Sequence, residues 1–237
     1  MLSVRVDHSR YADSRWYTGS GIYRDVWLIA APEIHLAQWG TGWHATSLTN
    51  RQATIAVDME VQKHIATNDR LELSATLYDA AGKQVAQRRT RVSDGKEGIT
   101  KENLTLKITN PHRWNLDDPY LYTLKTELLS NGQRIDGCET KVGLRTLKFD
   151  PNKGFALNDN WMKVKGVCLH HDAGVLGAVV PPEVWERRLN NLKEIGVNAI
   201  RMSHNPQAPV VYDLCDRLGL LIMDEACLLY TSPSPRD

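Results

Sequence analysis

The feature that most limits what this chain can become is a change in the period of its apolar residues near position 150. Before it, apolar side chains return at every second residue, as in a strand with one face on a core. After it, short apolar runs alternate with segments of helical period. Ala53 to Val61 carries Ile55, Val57, Met59 and Val61 in strict alternation, and Leu71, Leu73, Ala75 and Leu77 repeat the pattern. Glu33 to Trp39 alternates through Ile34 and Leu36, Gln84 to Val92 follows the turn Ala81-Gly82-Lys83, and Leu104, Leu106 and Ile108 mark another strand. Tyr120 to Leu129 and Gln133 to Leu147 flank Asn131-Gly132, a pair that tolerates the positive φ angles of a tight hairpin. About seven short strands with regular turn signals and no helical pattern predict a two-sheet, immunoglobulin-like β-sandwich.

Asp150-Pro151-Asn152-Lys153-Gly154 is rich in turn formers and reads as the boundary. Beyond it, Lys163 to Leu169, Val197 to Met202 and Leu220 to Met223 read as strands. Pro181-Pro182-Glu183 opens a helix that places Trp185, Leu189, Leu192 and Ile195 on one face and stops at Gly196. A second helix, Pro209 to Leu218, shows Val211, Leu214 and Leu218 on one face and stops at Gly219. Apolar strands separated by amphipathic helices predict parallel βαβαβ units buried on both faces. The order fits a (β/α)8 barrel or a doubly wound sheet. Gly174 and Gly177 form no G-x-G-x-x-G fingerprint. Three such units cannot close a barrel, which needs eight strands.

Composition excludes several classes of function. With 29 Lys and Arg against 28 Asp and Glu, the net charge is +1, so nothing points to a nucleic-acid partner. No run approaches the roughly 20 apolar residues of a membrane helix. The start, Met1 to Asp7, alternates like a strand, so Met1 reads as an internal start with sequence missing upstream. Cys138, Cys168, Cys215 and Cys227 form no Cys-x-x-Cys pair and read as buried free thiols, not as zinc ligands or a disulfide scaffold. Of the aromatics, Trp27, Trp39, Trp43, Trp114, Trp161 and Trp185 are expected mostly in cores, with Trp16 open as a sugar platform. The last eleven residues, Cys227 to Asp237, continue neither period and read as a non-native tail.

In parallel α/β folds the chemistry gathers at the carboxyl ends of the strands. Three sets of residues lie there. His170-His171-Asp172 follows the first strand, and adjacent side chains diverge, so the two histidines do not form a metal pair. One of them faces the mouth as a hydrogen-bond donor, or is a loop histidine satisfied by backbone. Arg201-Met202-Ser203-His204-Asn205-Pro206 follows the second, and Arg201 is expected to pair with a carboxylate such as Asp224. Asp224-Glu225 ends the third. Neighbouring carboxylates point apart, whereas a retaining glycosidase needs two carboxyls ~5–5.5 Å apart across one bond, so a supporting role is expected for them.

These residues, taken together and in order, resemble glycoside hydrolase family 2. Ser14-Arg15-Trp16-Tyr17-Thr18-Gly19 through Trp27-Leu28 is similar to the join between that family's sugar-binding jelly-roll domain and its sandwich. Arg113-Trp114-Asn115-Leu116-Asp117-Asp118-Pro119-Tyr120 resembles its sandwich motif, and Val142-Gly143-Leu144-Arg145 the strand leading into its barrel. Lys165-Gly166-Val167, His170-His171-Asp172, Asn198 to Pro206 and Cys215-Asp216-Arg217-Leu218-Gly219 resemble the first quarter of that barrel. The resemblance implies a multidomain chain: the end of a jelly-roll domain at 1–30, the immunoglobulin-like β-sandwich at 31–147, and an incomplete TIM-barrel catalytic domain at 148–226 before the tail at 227–237.

Within the family, the loop His170 to Gly177 is more similar to β-galactosidases than to β-glucuronidases or β-mannosidases. The implied partner is a β-galactoside carbohydrate, with no nucleic acid or membrane, and an intact enzyme could be a homo-oligomer. His170, His204 and Asp13 would bind substrate, with Arg201, Asn205 and Asp224 supporting them. The family's acid/base, in an Asn-Glu pair, and its nucleophilic Glu belong to later strands that these residues lack, so the expectation is an inactive chain. No cofactor is expected here; magnesium or sodium belongs to the intact enzyme. The compartment is open between cytoplasm and periplasm. The competing readings are a β-glucuronidase or β-mannosidase of the same family and a non-catalytic carbohydrate-binding sandwich.

Overall fold

The computed structural model describes residues 3–7, 9, 21–203 and 205–225. They fall into two compact units, one spanning Ile29–Met162 and the other joining Met1–Leu28 to Lys163–Asp237.

The first unit is a sandwich of seven strands: β1 (Ile34–Leu48), β2 (Gln52–Lys63), β3 (Leu71–Tyr78), β4 (Gln84–Arg91), β5 (Gly98–Thr109), β6 (Tyr122–Ser130) and β7 (Gln133–Val142). Sheet β1-β2-β5 faces sheet β4-β3-β6-β7, all pairs antiparallel. The core is the alternation read from sequence: Ile55, Val57, Met59 and Val61 of β2 and Leu104, Leu106 and Ile108 of β5 meet Leu71, Leu73, Leu77, Leu124 and Leu128. Lys63 continues the inward row of β2 and is buried, with its Nζ donating to the Asp94 carboxylate at 3.2 Å and to the Thr100 hydroxyl. Asn131 and Gly132 take φ of 51° and 84°, the two positive angles of the hairpin joining β6 to β7.

Strand β1 runs nine residues beyond its expected end at Trp39. Its register jumps from Leu36↔Val61 to Thr41↔Met59. The bulge has an odd number of extra residues, so the inward positions change from even (Ile34, Leu36) to odd (Trp43, Ala45). A fixed period-2 template loses the strand there. Trp39 sits in the bulge at φ 60°, 94% exposed.

The run Gln133 to Leu147 is not one strand. β7 ends at Val142, and a separate meander follows: β8 (Leu147–Asp150), β9 (Gly154–Leu157) and β10 (Asn160–Met162). Gly143 breaks the run where the chain passes the Trp114 ring: a Cβ there would lie 3.1 Å from Trp114 Cδ1. Asp150 to Gly154 is the β8–β9 hairpin turn, with the Asp150 carboxylate accepting from the backbone N–H of Asn152 and Lys153. The compact unit accordingly continues past that turn to Met162. Asn158, buried at φ 52°, fastens the meander: its Nδ2 donates to the Trp114 carbonyl at 2.9 Å and its Oδ1 accepts from Thr146 N at 3.0 Å.

In the second unit, β11 (Gly166–Leu169), α1 (Pro182–Glu194), β12 (Ala199–Met202), α2 (Pro209–Leu218) and β13 (Leu221–Met223) form βαβαβ with a parallel sheet β11-β12-β13. Pro182 starts α1 without losing a helical hydrogen bond, and Glu183 sits in its first turn. Trp185 and Leu189 of α1 and Val211, Leu214 and Cys215 of α2 cover one sheet face, against Leu169, Ile200 and Met202. Ile195 does not join them. The helix ends at Glu194, Gly196 turns at φ 88°, and Ile195 is 77% exposed. Gly219 closes α2 in the left-handed region at φ 74°.

The sheet face opposite the helices, where Cys168 and Met223 lie, is exposed in this chain. Among the described cysteines only Cys215 is a buried thiol, its pKa pushed up to about 12 by burial, while Cys138 and Cys168 are exposed. Among the described residues before Ile29 there is no strand or helix. Trp27, expected in a strand and a core, is 79% exposed, because alternation buries a side chain only where a partner strand supplies a sheet. Trp39 and Trp161 are also exposed, while Trp114 and Trp185 are core.

Candidate active site

The three parallel strands end together at Leu169, Met202 and Met223, and the polar residues that follow them form the candidate site. The register sets Cys168 beside Arg201 and Arg201 beside Met223 on the open face. Arg201 reaches across that face. Its Nε and Nη2 donate to Glu225 Oε1 at 2.8 and 2.6 Å, and Nη1 donates to Cys168 Sγ at 3.3 Å. The expected partner Asp224 is elsewhere. Consecutive residues diverge on an extended chain, so Asp224 turns away and its Oδ1 accepts from the Tyr212 hydroxyl at 2.9 Å, while Glu225 takes the guanidinium. Burial, reinforced by Asp224, raises the Tyr212 pKa and keeps the phenol protonated as that donor. Tyr212 in turn accepts from Gln207 N at 3.1 Å, which ties the loop after β12 to α2 and β13.

The two histidines part in the same way. His171 packs between the rings of Trp185 and Tyr23, each 5.4 Å away. Gln207 donates its amide N–H to the Leu169 carbonyl at 3.3 Å, so its oxygen faces His171 Nδ1 at 2.8 Å. Burial pushes the His171 pKa down, so the ring is neutral near pH 7. This histidine holds the loop together. His170 is half-buried at the end of β11, and its carbonyl accepts from Asp172 N at 2.9 Å. Arg188 fixes the same loop from α1, donating to the Asp172 carbonyl at 2.7 Å. Arg24 donates to the Pro206 carbonyl at 2.7 Å.

Asn205 is exposed in the loop after β12. Asp13, Trp16 and His204 lie outside the described residues, as do 226–237. Gln207, Tyr212, Tyr23 and Arg24 were not legible from sequence. Gln207 is a polar residue in a Pro-bounded loop whose burial depends on contacts 36 to 38 residues away. Among the described residues no group of three or more His, Cys, Asp or Glu could hold a metal ion. Glu225 is committed to Arg201 and Asp224 to Tyr212, so these side chains do not fit a magnesium or sodium centre. No described helix is long and apolar enough to cross a membrane.

Residues 38–145 match the family model of glycosyl hydrolases family 2, and residues 151–232 match the TIM barrel domain of glycosyl hydrolases family 2. The beta-galactosidase BoGH2A of Bacteroides ovatus is 44% identical over 228 residues, covering 95% of this chain and 27% of that protein. A beta-glucuronidase of Bacteroides fragilis is 32% identical over 212 residues, covering 86% of this chain and 30% of its own length. Among solved structures, a glycosyl hydrolase family 2 member from Bacteroides cellulosilyticus superposes with a TM-score of 0.86 at 36% identity, over 90% of this chain and 29% of that one. The chain therefore spans less than a third of each of these relatives.

Proposed function

Since the chain belongs to glycosyl hydrolases family 2, we propose that the protein containing it hydrolyses terminal β-D-galactosides with retention of configuration. The supporting observation is the Arg201–Glu225 pair. Among the described residues, Arg201 is presented on the open face beside the strand ends, and Glu225 already compensates it. A site of this kind suits a neutral sugar, whose hydroxyls need hydrogen bonds and no free positive charge. A glucuronide would bring its own carboxylate and need an unpaired cation to meet it. The 44% identity to a beta-galactosidase over most of the chain favours the same sugar. The second reading, a β-glucuronidase, rests on the 32% identity to the Bacteroides fragilis enzyme.

In the proposed reaction, one carboxyl protonates the leaving oxygen and a second forms the glycosyl-enzyme, which water then opens. Asp224 and Glu225 are not that pair, because Tyr212 and Arg201 hold them apart. The pair belongs to an Asn-Glu motif and a later Glu that these 237 residues do not supply, so this chain alone does not turn over substrate. His170, His204 and Asp13 hold the sugar. Arg201 is a positioning residue whose charge-assisted bond to Glu225 braces the strand ends, with Asn205 and Asp224 shaping the loops around it. Two measurements test this. Turnover of nitrophenyl β-galactoside by the purified 237-residue chain would contradict the missing carboxyl pair. Proton NMR on an enzyme that includes this chain should show the β-anomer released first, and the α-anomer first would contradict retention.

A further inference from the structure

The chain leaves the unit of the parallel sheet after Leu28, builds the sandwich, and returns at Lys163. Tyr23 and Arg24, in the segment before the sandwich, each reach a different loop of the candidate site. The Tyr23 ring lies 5.4 Å from that of His171, in the loop after β11. Arg24 Nη2 donates at 2.7 Å to the carbonyl of Pro206, in the loop after β12, across 182 residues of sequence. Its guanidinium stands 5.2 Å over the Tyr23 ring, so the two side chains restrict each other. The loop after β12 shows what the Arg24 bond adds. Both ends of that loop are pinned from within: Ser203 N donates to the Leu169 carbonyl at 3.1 Å, and the buried Gln207 donates its amide to the same carbonyl at 3.3 Å. Residues 204–206 bridge the two anchors. Pro206 is exposed and has no N–H, so its carbonyl is the one backbone group it can offer a partner. A charged donor on that carbonyl makes a stronger bond than a neutral one.

We propose that Arg24 is a positioning residue of the active site: by holding the Pro206 carbonyl it sets the place of the loop that contains His204, while Tyr23 steadies the loop that contains His170. The proposal rests on the reading of His170 and His204 as residues that hold the sugar. A single hydrogen bond near the surface adds little to the stability of the unit. Its effect falls instead on where the loop lies, and a displacement of about 1 Å at a substrate-holding group costs on the order of 10²-fold in rate. Arg217 is the internal control. It too is an arginine with an exposed tertiary bond in this unit, donating from Nη2 to Glu186 Oε1 at 2.8 Å, but that bond joins α2 to α1 and touches neither loop.

The test is steady-state kinetics of R24Q, R24K and R217Q in an enzyme that includes this chain, on the nitrophenyl glycoside that the wild type cleaves fastest. That choice separates two questions: a fastest substrate other than the β-galactoside sinks the proposed sugar, while the result for Arg24 stands. R24Q should raise KM at least about threefold and lower kcat/KM about 10- to 100-fold. R24K keeps a charged donor and should recover part of both losses, and R217Q should leave both constants at their wild-type values. Simple destabilisation behaves differently, because it removes active molecules and so lowers the apparent kcat at constant KM. An R24Q enzyme with wild-type constants overturns the proposal, as does a fall in kcat with KM unchanged. A rise in KM of the same size in R217Q, or an R24K enzyme no closer to wild type than R24Q, overturns it equally.

Discussion

Replacing Asn158 by alanine is the sharpest perturbation of the sandwich. The side chain makes two bonds in a buried place, donating to the Trp114 carbonyl at 2.9 Å and accepting from Thr146 N at 3.0 Å. Alanine removes both bonds, at ~1–3 kcal/mol each. It also keeps φ at 52°, where a Cβ without a compensating side-chain bond costs roughly 1 kcal/mol more. Allowing for relaxation, N158A should destabilise the sandwich by ~3 kcal/mol, which is a fall of roughly 10 °C in melting temperature for a domain of this size. N158G loses the same bonds but not the strain, so it should lie ~1 kcal/mol above N158A. Thermal unfolding followed by tryptophan fluorescence reports it, because Trp114 is buried at the site. An N158A chain within ~1 kcal/mol of wild type would refute the view that this one residue fastens the meander to the sandwich.

Three further outcomes follow from the same structure. Trp39 is strained at φ 60° with its side chain almost wholly in solvent, so W39G should raise stability by about 0.5–1 kcal/mol in denaturant titration; a loss would mean the indole packs on something. The Lys63 bond holds the Asp94 carboxyl below its usual value, so its contribution is full above the unfolded carboxylate pKa and is lost as pH falls through the folded one. Acid titrations of stability below about pH 4 should therefore be less steep for D94N, and an unchanged slope would contradict the linkage. The open sheet face with exposed Met223, and the edges of β11 and β13, should make the 237-residue chain self-associate; a monodisperse species in sedimentation velocity would oppose this.

What the sequence disclosed, and what it hid, divides by the range of the cause. Alternation along β2, β3 and β5 is a local property, and those strands lie where the apolar period places them. Asn131-Gly132 is equally local, since two adjacent residues set both φ angles of the turn. The second half of β1 was hidden because the bulge after Leu36 moves the inward positions from even to odd at Trp43 and Ala45. Asp150 to Gly154 was read as a border; it folds as the β8–β9 hairpin turn, and the match to the TIM barrel domain begins beside it, at residue 151. Ile195 fits the helical stripe but falls one residue past the last helical one. At the site, the strand ends were legible from the βαβ pattern, and the divergence of Asp224 from Glu225 from strand geometry. Which carboxylate meets Arg201 was not, because that depends on Tyr212, brought in by a different element. The exposure of Cys168 was equally out of reach, since a residue type gives its average burial and not its sheet face.

The central claim, a family 2 glycosidase adapted to a neutral galactoside, is tested most directly by the specificity ratio of an enzyme that includes this chain. Its kcat/KM for nitrophenyl β-D-galactoside should exceed that for the matching β-D-glucuronide by at least about 10²-fold, since Arg201 is already compensated by Glu225 and a carboxylate left without a cation partner loses roughly 3 kcal/mol of transition-state binding. A ratio near one, or one favouring the glucuronide, would contradict the account.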